Sequence, residues 1–332
     1  MLKNKKGNKM VTRLISSLIE YIEEIESINN NKIQNEIIYD YKRENDYNNA
    51  YYKYINSKNT GAKHQNTNFK LYFRGHSNES YKLIPSVFRK NFWNKEEYFY
   101  HQIMVNCPEH FQFSTHLDKL VTMQHYGCPT RLLDITTNPL VALYFACMSH
   151  PEECGEVLVF VKNDDDIAFS DSDRAVMLSC LARFSNKDKA IIYQQSMKEL
   201  ANDKYTLQNG GYYYRNETIE KLFHEITIEL PSFKRKMKPI DLLMPLFVQP
   251  NKTNGRILKQ EGAFIISGLS ENAYEAEQKL ISLTFERIYI DNKTDILKQL
   301  EALGIHEASL FPEVDRVAEY LKRKVISDFV NT

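Results

Sequence analysis

The sequence has no excess of either charge, because 43 Lys and Arg residues are balanced by 43 Asp and Glu residues. A neutral chain has no overall field that would attract nucleic acid or an anionic membrane surface, although this balance says nothing about a local basic patch. The sequence also lacks any run of about 18 apolar residues, so we expect no membrane-spanning helix. Charged residues interrupt the N-terminal segment and no small-residue cleavage site follows, so we do not expect a secretion signal.

The sequence also lacks the cysteine spacings that are typical of disulfide-rich or zinc-binding proteins. Its five cysteines are odd in number, irregularly spaced and never arranged as C-x-x-C. This pattern indicates neither a disulfide framework nor a zinc site. We therefore expect a chain that needs no bound metal and resides in a reducing, cytoplasmic compartment. With 332 residues, of which 42% are hydrophobic, it is large enough for a sizeable core.

Helix-like and strand-like patterns alternate irregularly along the chain, with no internal repeat. Strands are predicted at 69–75, 156–162, 245–249, 263–267 and 281–290, and helices at 10–28, 95–106, 115–126, from 139, at 293–303 and at 314–327. Two units follow: residues 1–68 as an N-terminal helix with a polar connection, and residues 69–332 as the compact domain, with a mostly helical insertion at about 165–240. The mixture predicts an α+β fold with a mixed or antiparallel central sheet flanked by helices.

The segment FKLYFRGH at 69–76 predicts a strand that ends on Arg74, with Gly75 and His76 directly beyond. A glycine lets the backbone turn or approach a ligand closely. A guanidinium at a strand end is suited to a phosphate or a carboxylate. The alternative is an arginine paired with an acid at the edge of the core, and the spacing alone does not separate the two.

A second polar segment, QHYGCPTRLLDITTNPLVALYFA, occupies residues 124–146. Helical periodicity places Gln124 on the inward face of the preceding helix, with His125 beside it. The stretch that follows brings Arg131 and Asp134 close to buried leucines. Charges so near a core are usually paired and are costly when they are not.

Asn138 followed by Pro139 predicts the start of a helix, since asparagine caps helices well and proline suits the first helical position. The helix is apolar all round, which predicts that it is buried. Its N-terminus would direct exposed amides and a positive dipole end toward Asp134 and Thr136, which suits an anion such as a pyrophosphate. The alternative is a buried capped helix, with an Arg131–Asp134 pair that only fixes a turn.

Four segments in this order resemble the FRG-domain family: FRGH, the 124–146 segment, GRILKQEGAF at 255–264 and LGIHEASLFPEVDRVAEYL at 303–321. The resemblance extends over roughly residues 69–322. The 124–146 segment is the specific part, and the three letters FRG alone carry no weight. One departure is Ile135, where the family usually has an aromatic residue, and this bears on the shape of a pocket.

The order of elements in that family is similar to that of ADP-ribosyltransferases, and this resemblance implies a site for NAD as a substrate. Arg74, Gly75 and His76 would then hold the nicotinamide ribose or the pyrophosphate. The other residues assigned to the NAD pocket are His125, Tyr126, Arg131, Asp134, Thr136, Asn138 and Tyr144. A late group, Gln260 or Glu261, would act with Arg74 in catalysis by stabilising the positive charge that develops as the nicotinamide bond breaks.

Two functions follow from the resemblance. The first is an NAD-consuming ADP-ribosyltransferase-like effector, of the kind found in toxins or phage defence, that modifies a protein or nucleic-acid target. The second is a non-catalytic module that senses a nucleotide or a phage component in the same pocket. We expect no metal, since Asp164, Asp165 and Asp166 have the pattern of a solvated turn and His224-Glu225 lacks the second histidine of H-E-x-x-H. We expect no membrane partner, because the sequence has neither a long apolar run nor a net charge.

Overall fold

A mixed sheet, to which the described residues contribute eight strands, forms the centre of the protein. The computed structural model describes residues 14–32, 69–112, 114–200, 216–234, 237–252 and 254–330. The strands are β1 (Leu14–Ile15), β2 (Phe69–His76), β3 (Leu132–Thr136), β4 (Gly155–Asn163), β5 (Ala168–Phe169), β6 (Leu246–Gln249), β7 (Gly262–Ile266) and β8 (Glu286–Ile290). Their order across the sheet is β1-β8-β4-β2-β3-β7-β6-β5. The two edge pairs are parallel and the inner pairs are antiparallel.

Helices flank this sheet, so the predicted α+β class with a mixed central sheet is confirmed. They are α1 (Leu18–Ser27), α2 (Glu96–Asn106), α3 (His116–His125), α4 (Pro139–Cys147), α5 (Asp173–Cys180), α6 (Asn186–Leu200), α7 (Glu217–Glu229), α8 (Pro239–Leu243), α9 (Gly255–Lys259), α10 (Ala273–Ile281), α11 (Lys293–Ala302), α12 (Glu307–Leu310) and α13 (Val314–Val330). Short 3-10 segments occupy Ser86–Lys95, Pro108–His110, Asp164–Asp166 and Leu181–Arg183. The helical block that was predicted at about 165–240 contains α5, α6 and α7, and its residues 201–215 lie outside the described part of the chain.

The two faces of the sheet are covered differently. Alternate residues of a strand point to opposite faces, so Phe73 and Gly75 lie on one face, and Tyr72, Arg74 and His76 lie on the other. We call these the helix face and the arginine face. On the helix face, α1, α4 and α11 pack over β2, β4 and β8, and the helical block with α3 packs over β3, β6 and β7. The arginine face packs against α10.

Helix α4 lies directly on β2. A Cβ atom added to Gly75 would overlap the carbonyl oxygen of Ala142 and would lie 2.7 Å from the amide nitrogen of Ala146. The helix begins as predicted, with Pro139 in its first turn and Asn138 as the N-cap, which accepts hydrogen bonds from the amides of residues 140 and 141. The absence of a side chain at residue 75 is therefore what allows this helix to contact the strand.

The N-terminal part of the chain differs from its prediction. A helix was expected throughout 10–28, but Leu14 and Ile15 form strand β1, which pairs in parallel with β8. The helix begins only at Leu18, because the side chain of Ser17 caps it. Ile15 and Tyr21 are fully buried, and the Tyr21 hydroxyl donates to the carbonyl oxygen of Pro139 at 2.9 Å. Residues 14–32 thus belong to the sheet and core of the 69–332 unit, while the polar segment 33–68 lies outside the described residues.

The predicted strand at 281–290 is also shorter than expected. Ile281 ends helix α10, which Asn272 caps, and strand β8 starts only at Glu286. The first residue of the predicted strand, Ile281, is partly buried because it packs against the core as the last residue of the helix. A short apolar run does not show by itself whether its residues are buried on a helix or on a strand.

Candidate functional site

A chain of hydrogen bonds on the arginine face joins four side chains across three strands. The Nε of Arg74 donates to Nε2 of His76 at 3.0 Å, and Nδ1 of His76 lies 2.9 Å from Oε1 of the fully buried Glu156. Because Nε2 of the histidine accepts, we assign the ring proton to Nδ1, which donates to the carboxylate. Nη1 of Arg287 donates to the other oxygen of Glu156 at 3.0 Å. Burial lowers the pKa of His76, against the opposing effect of its bond to Glu156, so the ring is neutral at pH 7.

Arg74 also reaches into a gap between two strands. Strands β2 and β3 share one paired position, Phe73 with Thr136, and the sheet opens beyond it. The Nη1 of Arg74 donates to the backbone oxygen of Asp134 at 2.5 Å and lies 4.0 Å from the Asp134 carboxylate. Burial lowers the pKa of Arg74 to about 10, although Asp134 opposes this, so the guanidinium stays charged at pH 7. The guanidinium therefore spans the opening between β2 and β3.

Asp134 faces this opening from β3. Its side chain is 60% exposed, and the amide nitrogen of Gln124 donates to its Oδ2 at 2.8 Å. The Thr130 hydroxyl donates to the amide oxygen of Gln124 at 2.5 Å, which fixes the orientation of that amide. The predicted inward position of Gln124 thus brings it to Asp134 at the C-terminal end of α3.

The late segment meets the N-terminus of α4. Asn138, the N-cap of that helix, donates through Nδ2 to Oε1 of Glu261 at 2.8 Å. The Thr136 hydroxyl donates to the backbone oxygen of Gln260 at 2.7 Å. The amide of Gln260 points away from this contact and donates to the backbone oxygen of Leu310 at 3.1 Å. Of the two candidate late residues, Glu261 is the one whose exposed carboxylate lies at the start of α4.

Gln260 and Glu261 both lie in the turn between α9 and β7, just before the strand. Glu261 has a φ of 47°, which is the left-handed region that residues other than glycine rarely adopt. The backbone oxygen of Glu261 accepts from the amide of Thr137 at 3.2 Å, so the turn is tied to β3.

Arg131, which was assigned to the NAD pocket, faces elsewhere. Its Nε and Nη2 donate to the two carboxylate oxygens of Glu96 at 2.8 and 2.6 Å, and Nη1 donates to the backbone oxygen of Ser267 at 3.3 Å. The ammonium of Lys189 donates to Glu96 at 2.7 Å. The Arg131–Asp134 pair suggested by the sequence is therefore wrong, because successive side chains of an extended segment alternate and Arg131 pairs on the face opposite to Asp134.

The Glu96–Arg131–Lys189 triad is almost completely buried. Burial alone would raise the pKa of Glu96, but the charges and hydrogen bonds of Arg131 and Lys189 outweigh it and lower that pKa to about 2. Burial lowers the pKa of Lys189, although Glu96 opposes this shift. One carboxylate thus holds two cations inside the protein.

The remaining predicted residues lie outside the opening. Gly75 contacts the backbone of α4 and not a ligand. Tyr144 is 7% exposed within the apolar cluster of the helix face, where burial raises its pKa. The Nε2 of His125 lies 3.7 Å from Oε1 of Glu313, and the exposed ring of Tyr126 packs edge-on against the His125 ring. Arg74 and Asp134 therefore meet at the opening, with His76 beside Arg74, whereas Thr136, Asn138, Glu261 and the backbone of Gln260 meet at the start of α4. These two groups lie along the adjacent strands β2 and β3, and among the described residues no side-chain hydrogen bond links them.

Four charged residues of these networks were missed from the sequence: Glu96, Glu156, Lys189 and Arg287. Glu156 opens the apolar strand EVLVFVK, and a carboxylate in a buried strand needs a partner. That signal could have linked Glu156 to His76. No comparable signal marks Glu96 and Lys189, which lie on separate helices. In the described ranges, no group of three or more His, Cys, Asp or Glu side chains could hold a metal ion.

The sheet and its polar opening define an α+β protein with a candidate ligand site where β2, β3 and β7 lie side by side. Residues 69–154 match the family model of the FRG domain, so the chain carries an FRG domain over this segment. The match contains Arg74 and the whole 124–146 segment but not Gln260 and Glu261. Searches of curated proteins and of solved structures found no match. Within the described residues, every helix is too short or too polar to cross a membrane.

Proposed function

We propose that this chain is an ADP-ribosyltransferase-like protein that binds NAD, or a related nucleotide, at the opening between β2 and β3. The observation that carries the proposal is the adjacency of β2, β3 and β7. By resemblance to ADP-ribosyltransferases, these strands would supply the three parts of an NAD site: Arg74 from the first, Thr136 and Asn138 from the second, and Glu261 just before the third. These segments are separated along the chain by about sixty and then by more than one hundred residues.

Each part has a chemical role in this proposal. The guanidinium of Arg74 is charged at pH 7 and borders the opening, so it would hold a phosphate of the nucleotide. The carboxylate of Glu261 would stabilise the positive charge on the ribose as the bond to nicotinamide breaks and its electron pair leaves with nicotinamide. A nucleophile on the target, or water, would then form the new bond to the ribose and release its proton. Asn138 positions Glu261 and is held itself as the N-cap of α4.

The backbone of Glu261 supports this assignment. A left-handed conformation costs a residue other than glycine roughly 1–2 kcal/mol. Strained residues of this kind are concentrated at functional sites, where the surrounding structure holds them. Here the tie to Thr137 and the bond from Asn138 hold Glu261 in place.

A second candidate function, a nucleotide-sensing module without catalysis, is favoured by a different observation. Arg74 already donates to His76 and to the backbone of Asp134, and the amide of Gln260 is engaged with Leu310. Groups that are fixed by internal bonds preorganise a binding site without contributing to a reaction. In this reading the opening binds the nucleotide and Glu261 has no chemical role.

The two candidates are separated by incubating the full-length protein with NAD and measuring released nicotinamide and label transfer from NAD to added protein or nucleic acid. Glu261→Gln keeps the size of the side chain and removes its charge, and Glu109→Gln at an exposed position is the matched control. The enzyme proposal expects turnover by the wild type and the control, with a loss of about 10²- to 10³-fold in Glu261→Gln. Turnover that Glu261→Gln leaves unchanged would contradict the role of Glu261.

Binding measured by calorimetry decides the second candidate. A sensing module would bind NAD or a related nucleotide without turnover, and Arg74→Gln would weaken that binding. An effector role predicts, in addition, that expression of the wild-type chain slows growth of a bacterial host and that Glu261→Gln relieves this effect. If the protein shows neither turnover of NAD nor binding of the nucleotide, both candidates are eliminated.

A further inference from the structure

A pocket lies against the buried Glu96–Arg131–Lys189 triad, and its lining includes none of the residues named at the β2–β3 opening. It has a volume of about 170 Å³ and lies between the Ser86–Lys95 segment, α6 and the segment that follows β7. The α6 side consists of residues 186, 189, 190, 193 and 194, a helical spacing that places all of them on one face. The pocket is therefore built from the FRG segment on one side and from the helical block on the other.

The base of the pocket carries an excess of positive charge. Two cations, Arg131 and Lys189, share the single carboxylate of Glu96. An ammonium has three donor hydrogens, and the buried ammonium of Lys189 makes one hydrogen bond, to Glu96, among the described residues. Glu271 at the rim is exposed, so solvent screens its charge far more than that of the buried groups. A ligand that brings an acceptor with a negative charge would complete the bonding of Lys189.

The walls of the pocket are aromatic. Phe88, Trp93 and Tyr193 line it, and Tyr193 is fixed because its hydroxyl donates to Glu275 at 3.0 Å. Aromatic rings stack on flat rings of a ligand in offset or edge-on arrangements. A cavity of roughly 150 Å³ accommodates one benzene ring, so this pocket has room for one ring with a small substituent.

We propose that this pocket binds a small aromatic anion, a single flat ring with a carboxylate or phosphate group, whose charge contacts Lys189 and whose ring lies among Phe88, Trp93 and Tyr193. The site does not depend on NAD or on Glu261. If the NAD-related function proposed above is disproved, the aromatic-anion site is unaffected. If this pocket binds no aromatic anion, the NAD-related proposal is likewise unaffected.

Trp93 is the single tryptophan of the chain, so its fluorescence reports on this pocket directly. The full-length protein is titrated with benzoate and with phenyl phosphate. Benzyl alcohol, which lacks the charge, and acetate and inorganic phosphate, which lack the ring, are the comparison compounds. We expect a saturable change in Trp93 emission with at least one of the two aromatic anions and a much weaker response to the three comparison compounds.

Two variants test the assignment. Lys189→Met removes the ammonium but leaves Glu96 paired with Arg131, and we expect a loss of affinity of about tenfold or more, as for loss of one hydrogen bond to a charged group. Ala190→Leu fills the mouth of the pocket from an exposed position and should also weaken binding. Lys187→Met, at an exposed position of the same helix, is the matched control and should bind as the wild type does.

If Lys189→Met does not fold, Ala190→Leu decides the matter, because a larger side chain at an exposed helix position is well tolerated. No saturable response to either anion would overturn the proposal. A response that both pocket variants leave unchanged would overturn it equally.

Discussion

Replacing Glu96 by glutamine should destabilise the protein much more than the same replacement of Glu97, the other carboxylate of α2. The side chain is 3% exposed and holds two buried cations. Its pKa is lowered from 4.5 to about 2, and a shift of that size corresponds to about 3 kcal/mol of folding free energy. Breaking a buried ion pair by removing one partner typically costs roughly 3–5 kcal/mol, which agrees in size.

The assay is urea unfolding at several pH values, with Glu97→Gln as the control, since that residue lies in the same helical turn and experiences the same helix dipole. At pH 7 we expect Glu96→Gln to lose about 3 kcal/mol and Glu97→Gln well under 1 kcal/mol. A lowered carboxylate pKa stabilises the fold above about pH 4.5, and this stabilisation is lost as the pH falls toward 2. The difference between wild type and Glu96→Gln should therefore shrink below pH 4.5.

The double variant Glu96→Gln with Lys189→Met provides a further check. It removes one of the two uncompensated cations, so it should be more stable than Glu96→Gln alone. The reasoning is refuted if Glu96→Gln and Glu97→Gln unfold at the same urea concentration at pH 7, because the buried cations would then not need the carboxylate.

Three other predictions concern stability. Gly75→Ala should destabilise the fold by several kcal/mol, since the new methyl group overlaps the backbone of α4. Gly262→Ala is the control and should cost much less, because its Cβ would lie 3.6 Å from its nearest neighbour. Thermal unfolding of the two variants measures the difference. Glu261→Gly should be more stable than Glu261→Ala by about 1 kcal/mol, because glycine adopts the left-handed conformation without strain, and equal stabilities would argue against that conformation. Burial lowers the pKa of His116 to about 3, so below about pH 6.5 the unfolded chain takes up a proton that the folded chain does not. The free energy of unfolding therefore decreases as the pH is lowered from about 6.5 toward 3. His116→Gln should flatten this pH dependence and His110→Gln should not, as unfolding free energies between pH 7 and 4 would show.

The elements that the sequence predicted well are those with a strong local signal. Asn138 and the proline after it marked the start of α4, and the strand-like segment FKLYFRGH marked β2. Capping and periodicity operate within one turn or one strand, so neighbouring residues are enough to reveal them. The order of the strands depends instead on contacts between distant segments, and it could be predicted only as a class.

The candidate site shows the same limit at the level of side chains. Arg74 was singled out as a guanidinium at a strand end, and Asn138 and Glu261 entered the site through the resemblance to ADP-ribosyltransferases. Their partners depend on where distant segments cross. Arg131 illustrates the failure, because its partner Glu96 lies 35 residues earlier, on a helix that no sequence pattern places beside it. A charged residue near a core needs a counter-charge, but which residue provides it is a property of the tertiary fold.

At one edge of the sheet, strand β5 has two residues, and at the other edge the described residues Leu14 and Ile15 of β1 cover β8. Very short edge strands offer few free backbone groups to another chain, which protects a sheet from edge-to-edge association. A fragment that begins at residue 69, where the FRG match begins, would lose β1 and leave the backbone of β8 open at Tyr289 and Ile290. Such a fragment would also uncover the apolar surface beneath α1, so we expect it to aggregate, and the stretch from residue 14 should be retained when the domain is isolated.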